Sequence, residues 1–260
     1  MAHPRSALVV GATGSTGRRV LRYLLRGSGF ERIGEYGRHL TDTKELALEG
    51  ISRTSLCRLE QRIISFETLQ DEEWAAEEWD VIYMVLGTSV VVAGSRETFD
   101  KINRRFVLKA ARAARRSDGG WQRLVYLSAA GASSHSLTPC LQSRGLTEAG
   151  LATLGFDEMI VMRPGPLKDP AVRNGTPRHV VDGSIVWLRN TLVPKIEVSV
   201  LAVSMAIAGQ LGSDGVQKLI PEGSKMQRCR GHGVMIIDNG GASQLGQRAK
   251  AARMVADWWC

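Results

Sequence analysis

The stretch ALVVGATGSTGR, residues 7–18, decides the fold because it sets a glycine-rich turn between an apolar run and a helical pattern. The apolar run, Ala7–Val10, is typical of a parallel strand buried on both faces. The segment after the turn has helical periodicity, with one apolar stripe made of Val20, Leu21, Leu24 and Leu25. A strand that leads through glycines into a helix predicts a dinucleotide-binding site.

Each glycine of the turn has a separate physical role. Gly11 permits the tight turn, Gly14 allows the backbone to approach a pyrophosphate, and Gly17 allows close packing of helix on strand. The helix N-terminus adds unpaired N–H groups and a positive dipole end. The residues predicted to bind the cofactor in this turn are Gly11, Thr13, Gly14, Ser15, Thr16 and Gly17.

Length and composition indicate an ordinary globular protein. The chain has 260 residues, of which 43% are hydrophobic and 23% charged, and this suits one α/β domain. No run approaches the roughly 20 apolar residues that span a bilayer, so we expect no integral membrane span. The first strand begins by residue 7 and leaves no room for a signal peptide, which predicts a cytoplasmic location.

Cysteines and charge exclude further classes of function. The four cysteines, Cys57, Cys140, Cys229 and Cys260, are far apart and show no repeated spacing, so we expect neither a disulfide framework nor a metal site. The net charge of +8 is compatible with nucleic acid, an anionic membrane surface or an acidic ligand. Because the arginines are scattered and no known binding module accompanies them, we expect no nucleic-acid partner.

Strand-like and helix-like segments alternate through the first two-thirds of the chain, which predicts a doubly wound parallel sheet. Strands are expected near residues 7–10, 32–36, 62–65, 80–86, 122–127 and 158–162, and helices near 15–26, 71–77, 95–116 and 141–153. Residues 162–183 are rich in Pro, Gly and Arg, and we expect residues 166–183 to cover the substrate. A helix near 197–211, a strand at 234–237 and a helix near 243–258 are expected to follow.

The end of the second predicted strand bears on cofactor choice. An acidic residue there holds the ribose hydroxyls of NAD, whereas an arginine accommodates the 2′-phosphate of NADP. Arg38 ends this strand and favours NADP(H), with Arg18 or His39 as helpers. Glu35 is the evidence for NAD, but it lies three residues earlier in the strand.

From residue 80 onward the sequence resembles a known family. The segments DVIYMVLGTSVVVAGS, FDKINRRFVLKAARAA, LVYLSAAGASS and LATLGFDEMIVMRPGPL are similar, in order, to the Tat-interacting-protein family of atypical short-chain dehydrogenase/reductases and its fungal relatives. The resemblance covers about residues 7–210. It implies a Rossmann-like single domain, residues 1–260, that binds NADP(H), with substrate-loop and lid elements within 163–260. It also implies that Leu86, Gly87 and Thr88 pass beside the cofactor, and that Arg163-Pro164-Gly165 closes its nicotinamide end.

The chain departs from the family at the catalytic positions. The family has a Ser-Ser pair after the fifth strand and then Tyr-x-x-x-Lys, whereas this chain has Ser128-Ala129, Cys140 and Arg144. Near the adenine, Ser65 stands where relatives often have an acidic residue. A thiol is a weak hydrogen-bond donor and arginine stays charged, so the usual proton delivery to a carbonyl is impaired. The candidate catalytic residues are Ser128, His135, Cys140 and Arg144.

Three classes of function stay open at this point. The first is an NADP(H)-dependent reductase acting on a small organic carbonyl or polycyclic substrate, with its proton donor replaced by water, His135 or a substrate hydroxyl. The second is a non-redox enzyme, such as a cyclase, isomerase or dehydratase, that kept the fold and the pocket. The third is a nucleotide-sensing protein that regulates partner proteins, and a homo-oligomer is compatible with each class.

Overall fold

The computed structural model describes residues 5–71, 73–169 and 194–251. Its strands are β1 (Ser6–Val10), β2 (Arg32–Gly37), β3 (Leu59–Ile63), β4 (Val81–Met84), β5 (Arg123–Leu127), β6 (Glu158–Arg163), β7 (Leu167–Lys168), β8 (Ile196–Glu197), β9 (Ser224–Cys229) and β10 (His232–Asp238). Eight of them form one sheet in the order β3-β2-β1-β4-β5-β6-β10-β9, and β7 pairs with β8. Within the large sheet only the pairing of β9 with β10 is antiparallel, among the residues described.

Helices cover both faces of the large sheet. They are α1 (Ser15–Arg26), α2 (Thr43–Leu48), α3 (Arg53–Leu56), α4 (Val90–Ala93), α5 (Arg96–Asp100), α6 (Val107–Ala114), α7 (Pro139–Ala152), α8 (Val198–Leu219) and α9 (Asn239–Ala251). One buried apolar cluster joins the sheet to α1, α8 and α9, and a second joins its other face to α6 and α7. The prediction of a doubly wound, mostly parallel sheet in a single domain is confirmed.

The strand order places a crevice at the carboxyl end of the sheet. The strand β1 lies between β2 and β4, so the chain leaves β1 in one direction and returns on its other side. At such a reversal the connections that follow the two central strands diverge, and ligands bind between them. The turn after β1 and the loop after β4 therefore border the expected site.

Several element boundaries differ from those expected from the sequence. The edge strand β3 lies earlier than predicted, and β9 was not predicted at all. Neither strand has one face buried along its length, so neither sequence shows the alternation of apolar and polar residues by which a strand is recognised. The helix expected at 95–116 is interrupted by a π-helical segment, Lys101–Phe106. Near 71–77 only a short 3-10 helix, Ala75–Glu77, is present in the described residues.

Two expectations are only partly covered by the described residues. The predicted cover over the substrate, residues 166–183, is described only as far as residue 169. The last predicted helix, near 243–258, is described as far as Ala251. Of the helices in the described ranges, none has the length and apolar character needed to cross a membrane.

The contact of α1 with the turn after β1 generates a stability prediction. A Cβ atom at Gly17 would lie 2.2 Å from the carbonyl oxygen of Gly11, so Gly17→Ala should lower the free energy of unfolding by about 1–3 kcal/mol in urea denaturation. The matched control is Gly14→Ala, whose Cβ would lie 3.4 Å from the same oxygen. Equal stabilities for the two variants would contradict this packing.

Candidate cofactor and substrate site

The glycine turn is pressed against the loop that leaves β4. Gly11 has a φ of +97°, a backbone conformation that residues other than glycine rarely adopt. A Cβ atom there would lie 2.7 Å from the backbone nitrogen of Leu86. The structure thus brings the predicted residues Gly11 and Leu86 together from two separate motifs. Gly17 packs beneath this contact, against the Gly11 carbonyl.

The first turn of α1 is open to a ligand. Gly14 is the N-cap residue, no side chain caps the helix, and its first turn has no acidic residue. Thr13, Gly14 and Ser15 are exposed, whereas Thr16 is buried beneath them. An uncapped helix N-terminus of this kind binds phosphate through its N–H groups and its dipole. The exposed part of the turn therefore fits a pyrophosphate.

Arg19 holds the segment that follows β6 close to this turn. Its guanidinium donates to the Ser15 carbonyl at 2.9 Å and pairs with Asp169 at 2.8 Å. Asp169 directly follows the short strand β7. The backbone after β6 thereby passes beside the N-terminal turn of α1, on the side where the sequence predicts a substrate loop.

At the carboxyl end of β2, Arg38 is exposed and makes no hydrogen bond or ion pair with the residues that the structure describes. Glu35 is buried and fully engaged, because its carboxylate accepts from Thr41 and Gln61 at 2.7–2.9 Å. Arg18, a predicted helper of Arg38, instead pairs with Glu45 at 3.2 Å. The only one of these three groups left for a ligand is therefore the Arg38 guanidinium.

Ser65 and Ile63 lie at the neighbouring strand end. Ser65 is exposed, and its hydroxyl donates to Glu67 at 3.3 Å. Ile63, the last residue of β3, is 72% exposed and pairs in register with Gly37. An exposed apolar side chain beside a polar hydroxyl is a surface on which an adenine ring can pack. The sequence analysis did not predict Ile63 as a site residue, because an isolated isoleucine at a strand end is usually interpreted as a buried core residue.

Asn103 fixes the loop of Leu86, Gly87 and Thr88. Its side-chain oxygen accepts from the Thr88 N–H at 3.1 Å, and its amide donates to the carbonyls of Thr88 and Phe99 at 3.2 and 3.0 Å. Asn103 is buried in the π-helical segment between α5 and α6. Sequence reasoning missed it, although a buried polar residue among apolar helix positions was a usable signal.

Arg144 reaches the same loop from α7. Its guanidinium donates to the Leu127 carbonyl at 3.2 Å, and a Cβ atom at Gly87 would lie 3.9 Å from its Nη2. Burial raises the pKa of Tyr126 nearby, although the Arg144 charge opposes the rise. Arg144 thus supplies a fixed positive charge at the carboxyl ends of β4 and β5.

The Ser128 hydroxyl belongs to a buried ionic network. Its hydroxyl donates to the Glu148 carboxylate, which also pairs with the Arg163 guanidinium at 2.5 Å. Ser128 and Glu148 are buried, and Arg163 is only partly exposed. Sequence reasoning missed Glu148, because one glutamate in a helix is indistinguishable from a solvated one. The network makes Ser128 a structural donor in this state of the protein.

Cys140 lies one helical turn before Arg144 on α7, and His135 lies on the loop before this helix. Cys140 lines a cavity of about 330 Å³ between α5 and α7, together with Asp100 and Ser143. Burial alone would raise the pKa of Asp100, but hydrogen bonds from Arg104 and Ser143 lower it, so the carboxylate stays charged. His135 is exposed on the loop before α7. Of the four candidate catalytic residues, Cys140 and Arg144 thus share α7, Ser128 follows β5, and His135 is exposed on the loop between them.

The turn Arg163-Pro164-Gly165 is held to the start of α9. The Gly165 N–H donates to the Asn239 side-chain oxygen at 2.7 Å, and the Asn239 amide donates to the Pro194 carbonyl at 3.0 Å. Asn239 thus ties together the two described ends of the chain around residues 170–193. Among the described residues, no group of three or more His, Cys, Asp or Glu side chains is placed to hold a metal ion.

Comparison with known proteins identifies the family. The chain is 32% identical to Protein FMP52, mitochondrial, of Kluyveromyces lactis over 171 residues, which cover 66% of this chain and 70% of that protein. It is also 32% identical over 163 residues to Protein HTATIP2 of Rattus norvegicus, covering 63% of each chain, somewhat less than two thirds of that relative. The chain belongs to the HTATIP2/FMP52 family of atypical short-chain dehydrogenase/reductases. No protein-family model matches the sequence.

A solved structure agrees with this fold. The 3-oxoacyl-[acyl-carrier protein] reductase of Brucella melitensis, in complex with NAD, superposes with a TM-score of 0.55 at 16% identity, covering 94% of this chain and 99% of that one. At this identity the likeness concerns the fold alone. Membership of the HTATIP2/FMP52 family confirms the resemblance recognised in the sequence.

The comparison overturns the expected cytoplasmic location. The relative from K. lactis is named a mitochondrial protein, and so are its namesakes from Scheffersomyces stipitis and Emericella nidulans. The expectation of a cytoplasmic protein rested on the early first strand and is wrong. The length before a first strand does not determine the compartment, because other targeting signals are read by receptors and not by the fold.

The buried network around Glu148 generates a second stability prediction. Glu148→Ala should lower the free energy of unfolding by about 3 kcal/mol at neutral pH, because it leaves the Arg163 charge without its carboxylate. Urea denaturation measures the loss, and adding Arg163→Met should recover much of it. The control is Glu197→Ala, which removes an exposed pair with Lys168 at 3.9 Å and should cost less than about 1 kcal/mol. A loss no greater than the control's would contradict the network's importance.

Proposed function

We propose that this protein binds NADP(H) at the turn after β1 and reduces a carbonyl group of a small organic or polycyclic substrate. The observation that carries the cofactor choice is the state of Arg38 and Glu35. Arg38 is exposed at the end of β2 with no described partner, whereas the Glu35 carboxylate is occupied by Thr41 and Gln61. The Arg38 guanidinium is therefore available to bind a charged 2′-phosphate, whereas the Glu35 carboxylate is not available to bind a ribose diol.

The residues around the turn fit the rest of the cofactor. The exposed N-terminal turn of α1 would hold the pyrophosphate, and Ile63 and Ser65 would flank the adenine. The loop of Leu86, Gly87 and Thr88 would lie along the nicotinamide end, because it contacts Gly11 on one side and Arg144 on the other. Bound there, the cofactor supplies a hydride to the substrate carbon.

The proposed role of Arg144 is to bind the substrate oxygen. Its guanidinium carries a permanent charge at the carboxyl edge, so it stabilises the negative charge that develops on a carbonyl oxygen. It cannot deliver the proton, because arginine does not deprotonate in proteins. The proton that completes the alcohol then comes from water, from His135 on the neighbouring loop, or from a substrate hydroxyl.

A second candidate function is non-redox chemistry, such as cyclisation, isomerisation or dehydration, in the same pocket. It is favoured by the placement of the former reductase positions. The Ser128 hydroxyl is engaged by Glu148, and Cys140 lines a cavity with Asp100. An oxyanion bound to Arg144 suits reactions that pass through an enolate and return the proton elsewhere on the substrate.

Cofactor choice is tested by the variant Arg38→Ala. Calorimetry should show that the unmodified protein binds NADPH more tightly than NADH, and that the variant loses about 1.5–3 kcal/mol of NADPH binding free energy while its NADH affinity is unchanged. The control is Arg53→Ala, which removes an exposed arginine in α3, on the amino-end side of the sheet. Equal affinities for the two cofactors in the unmodified protein would refute the proposal.

Carbonyl reduction is tested by the double variant Cys140→Tyr with Arg144→Lys. It restores a phenol and an ammonium at four-residue spacing on α7, so NADPH oxidation with ketone substrates should rise by about 10²-fold or more. Cys57→Tyr, at an exposed cysteine, is the control for the substitution itself. If the double variant folds and binds NADPH but gains nothing, the non-redox function is the better account.

A further inference from the structure

The hairpin of β9 and β10 is the outermost part of the large sheet. Its two strands are joined by a two-residue turn, Arg230-Gly231, since Cys229 pairs with His232. The residues from Lys225 to Arg228 are all exposed, on both faces of β9. Because β10 is parallel to β6, this turn lies at the amino end of the sheet. It therefore points away from the cofactor crevice, which lies at the carboxyl end.

The cations of this hairpin are unpaired. Lys225, Arg228 and Arg230 make no hydrogen bond or ion pair with any residue that the structure describes, and residues 224–237 contain no Asp or Glu. Elsewhere in the described chain most arginines contact a carboxylate or a backbone carbonyl, as Arg116 does with Asp118 at 2.6 Å. The hairpin thus concentrates positive charge that the fold does not neutralise.

Arg230 occupies a backbone conformation that disfavours it. The two turn residues have φ values of +48° and +88°, so both are in the left-handed region that a type I′ turn requires. Glycine or asparagine adopts this conformation at lower cost than arginine. Folding therefore favours an asparagine at position 230, and the presence of a cation there calls for a reason outside the fold.

An apolar side chain accompanies the three cations. Met226 lies on β9 and is 61% exposed. Because side chains alternate along a strand, Met226 shares one face with Arg228, and Lys225 projects from the other face. A flexible apolar side chain beside a long cationic one matches the boundary between lipid headgroups and acyl chains. We propose that the β9–β10 hairpin binds the surface of a membrane that contains anionic phospholipids.

Other occupants fit this hairpin less well. Pairing β9 antiparallel with the β9 of a second copy would bring Lys225 of one chain opposite Arg228 of the other, and like charges opposite each other destabilise strand pairing. The hairpin, residues 224–238, has no Phe, Tyr or Trp, so the single imidazole of His232 is its one ring on which a nucleic-acid base could stack. A narrow protruding turn also offers less area than a stable protein interface buries, whereas a bilayer surface needs no complementary shape.

The experiment is co-sedimentation of the full chain with vesicles. Vesicles of phosphatidylcholine with about a third phosphatidylglycerol should bind the protein at low salt, and pure phosphatidylcholine vesicles should not. Arg230→Asn should lower the partition coefficient about five-fold, and the triple variant with Lys225→Gln and Arg228→Gln about 100-fold or more. The matched control is Arg53→Asn, an exposed arginine next to the opposite edge strand, which should bind as the unmodified protein does.

Stability separates this effect from damage to the fold. Arg230→Asn should keep or raise the melting temperature while it weakens vesicle binding, because asparagine suits the turn better. NADPH affinity should be the same in all hairpin variants, since four strands of the sheet lie between β9 and β1. The proposal is overturned if the protein binds neither vesicle type, binds both equally, or is unaffected by the triple substitution. It is also overturned if the protein binds an RNA oligonucleotide through these cations and does not bind the anionic vesicles.

Discussion

The close approach of the turn after β1 to the loop after β4 is the constraint on which the rest of the site depends. A side chain at Gly11 would clash with the backbone of Leu86, and a side chain at Gly17 would clash with the Gly11 carbonyl. The contact fixes where α1 begins, and therefore where its uncapped N-terminus is exposed. It also fixes the loop from Leu86 to Thr88, which Asn103 holds from the other side. The proposed phosphate and nicotinamide subsites thus both depend on one backbone contact.

Buried carboxylates decide which polar groups remain for a ligand. Glu35 and Glu148 lie inside the fold and accept most of the donors near them. A buried carboxylate is tolerable only when its oxygens are hydrogen-bonded or paired, so each one consumes neighbouring donors. Glu35 accepts from Thr41 and Gln61, and Glu148 accepts from Ser128 and Arg163. The charged side chains that remain for a ligand include Arg38 after β2 and Arg144 beside the loop after β4.

The sequence predicted the parts of the fold that repeat a simple pattern. The strand, turn and helix at residues 7–18 were found because buried parallel strands and glycine turns have strong local signals. The polar strand β9 was missed, since an exposed edge strand has no buried face to produce alternation. The engagement of Ser128 by Glu148 was also invisible, because it joins residues 20 positions apart through tertiary packing. Motifs predicted the candidate site, whereas the availability of each side chain required the structure.

The contacts of each arginine distinguish those that are neutralised within the fold from those whose charge is available to a ligand. An arginine that contacts a carboxylate, such as Arg123 with Glu158 at 2.5 Å, is neutralised within the fold and contributes little to a partner's recognition. An unpaired arginine keeps its charge for the solvent or for a ligand, and the fold gains nothing from it. In the described residues, the cations without a hydrogen bond or ion pair include Arg38 at the end of β2, the three cations of the β9–β10 hairpin, and isolated ones such as Arg53 and Arg112. Lys225, Arg228 and Arg230 differ from the isolated ones because they lie within one short hairpin. We propose a nucleotide phosphate as the ligand of Arg38 and an extended anionic surface as the partner of the hairpin.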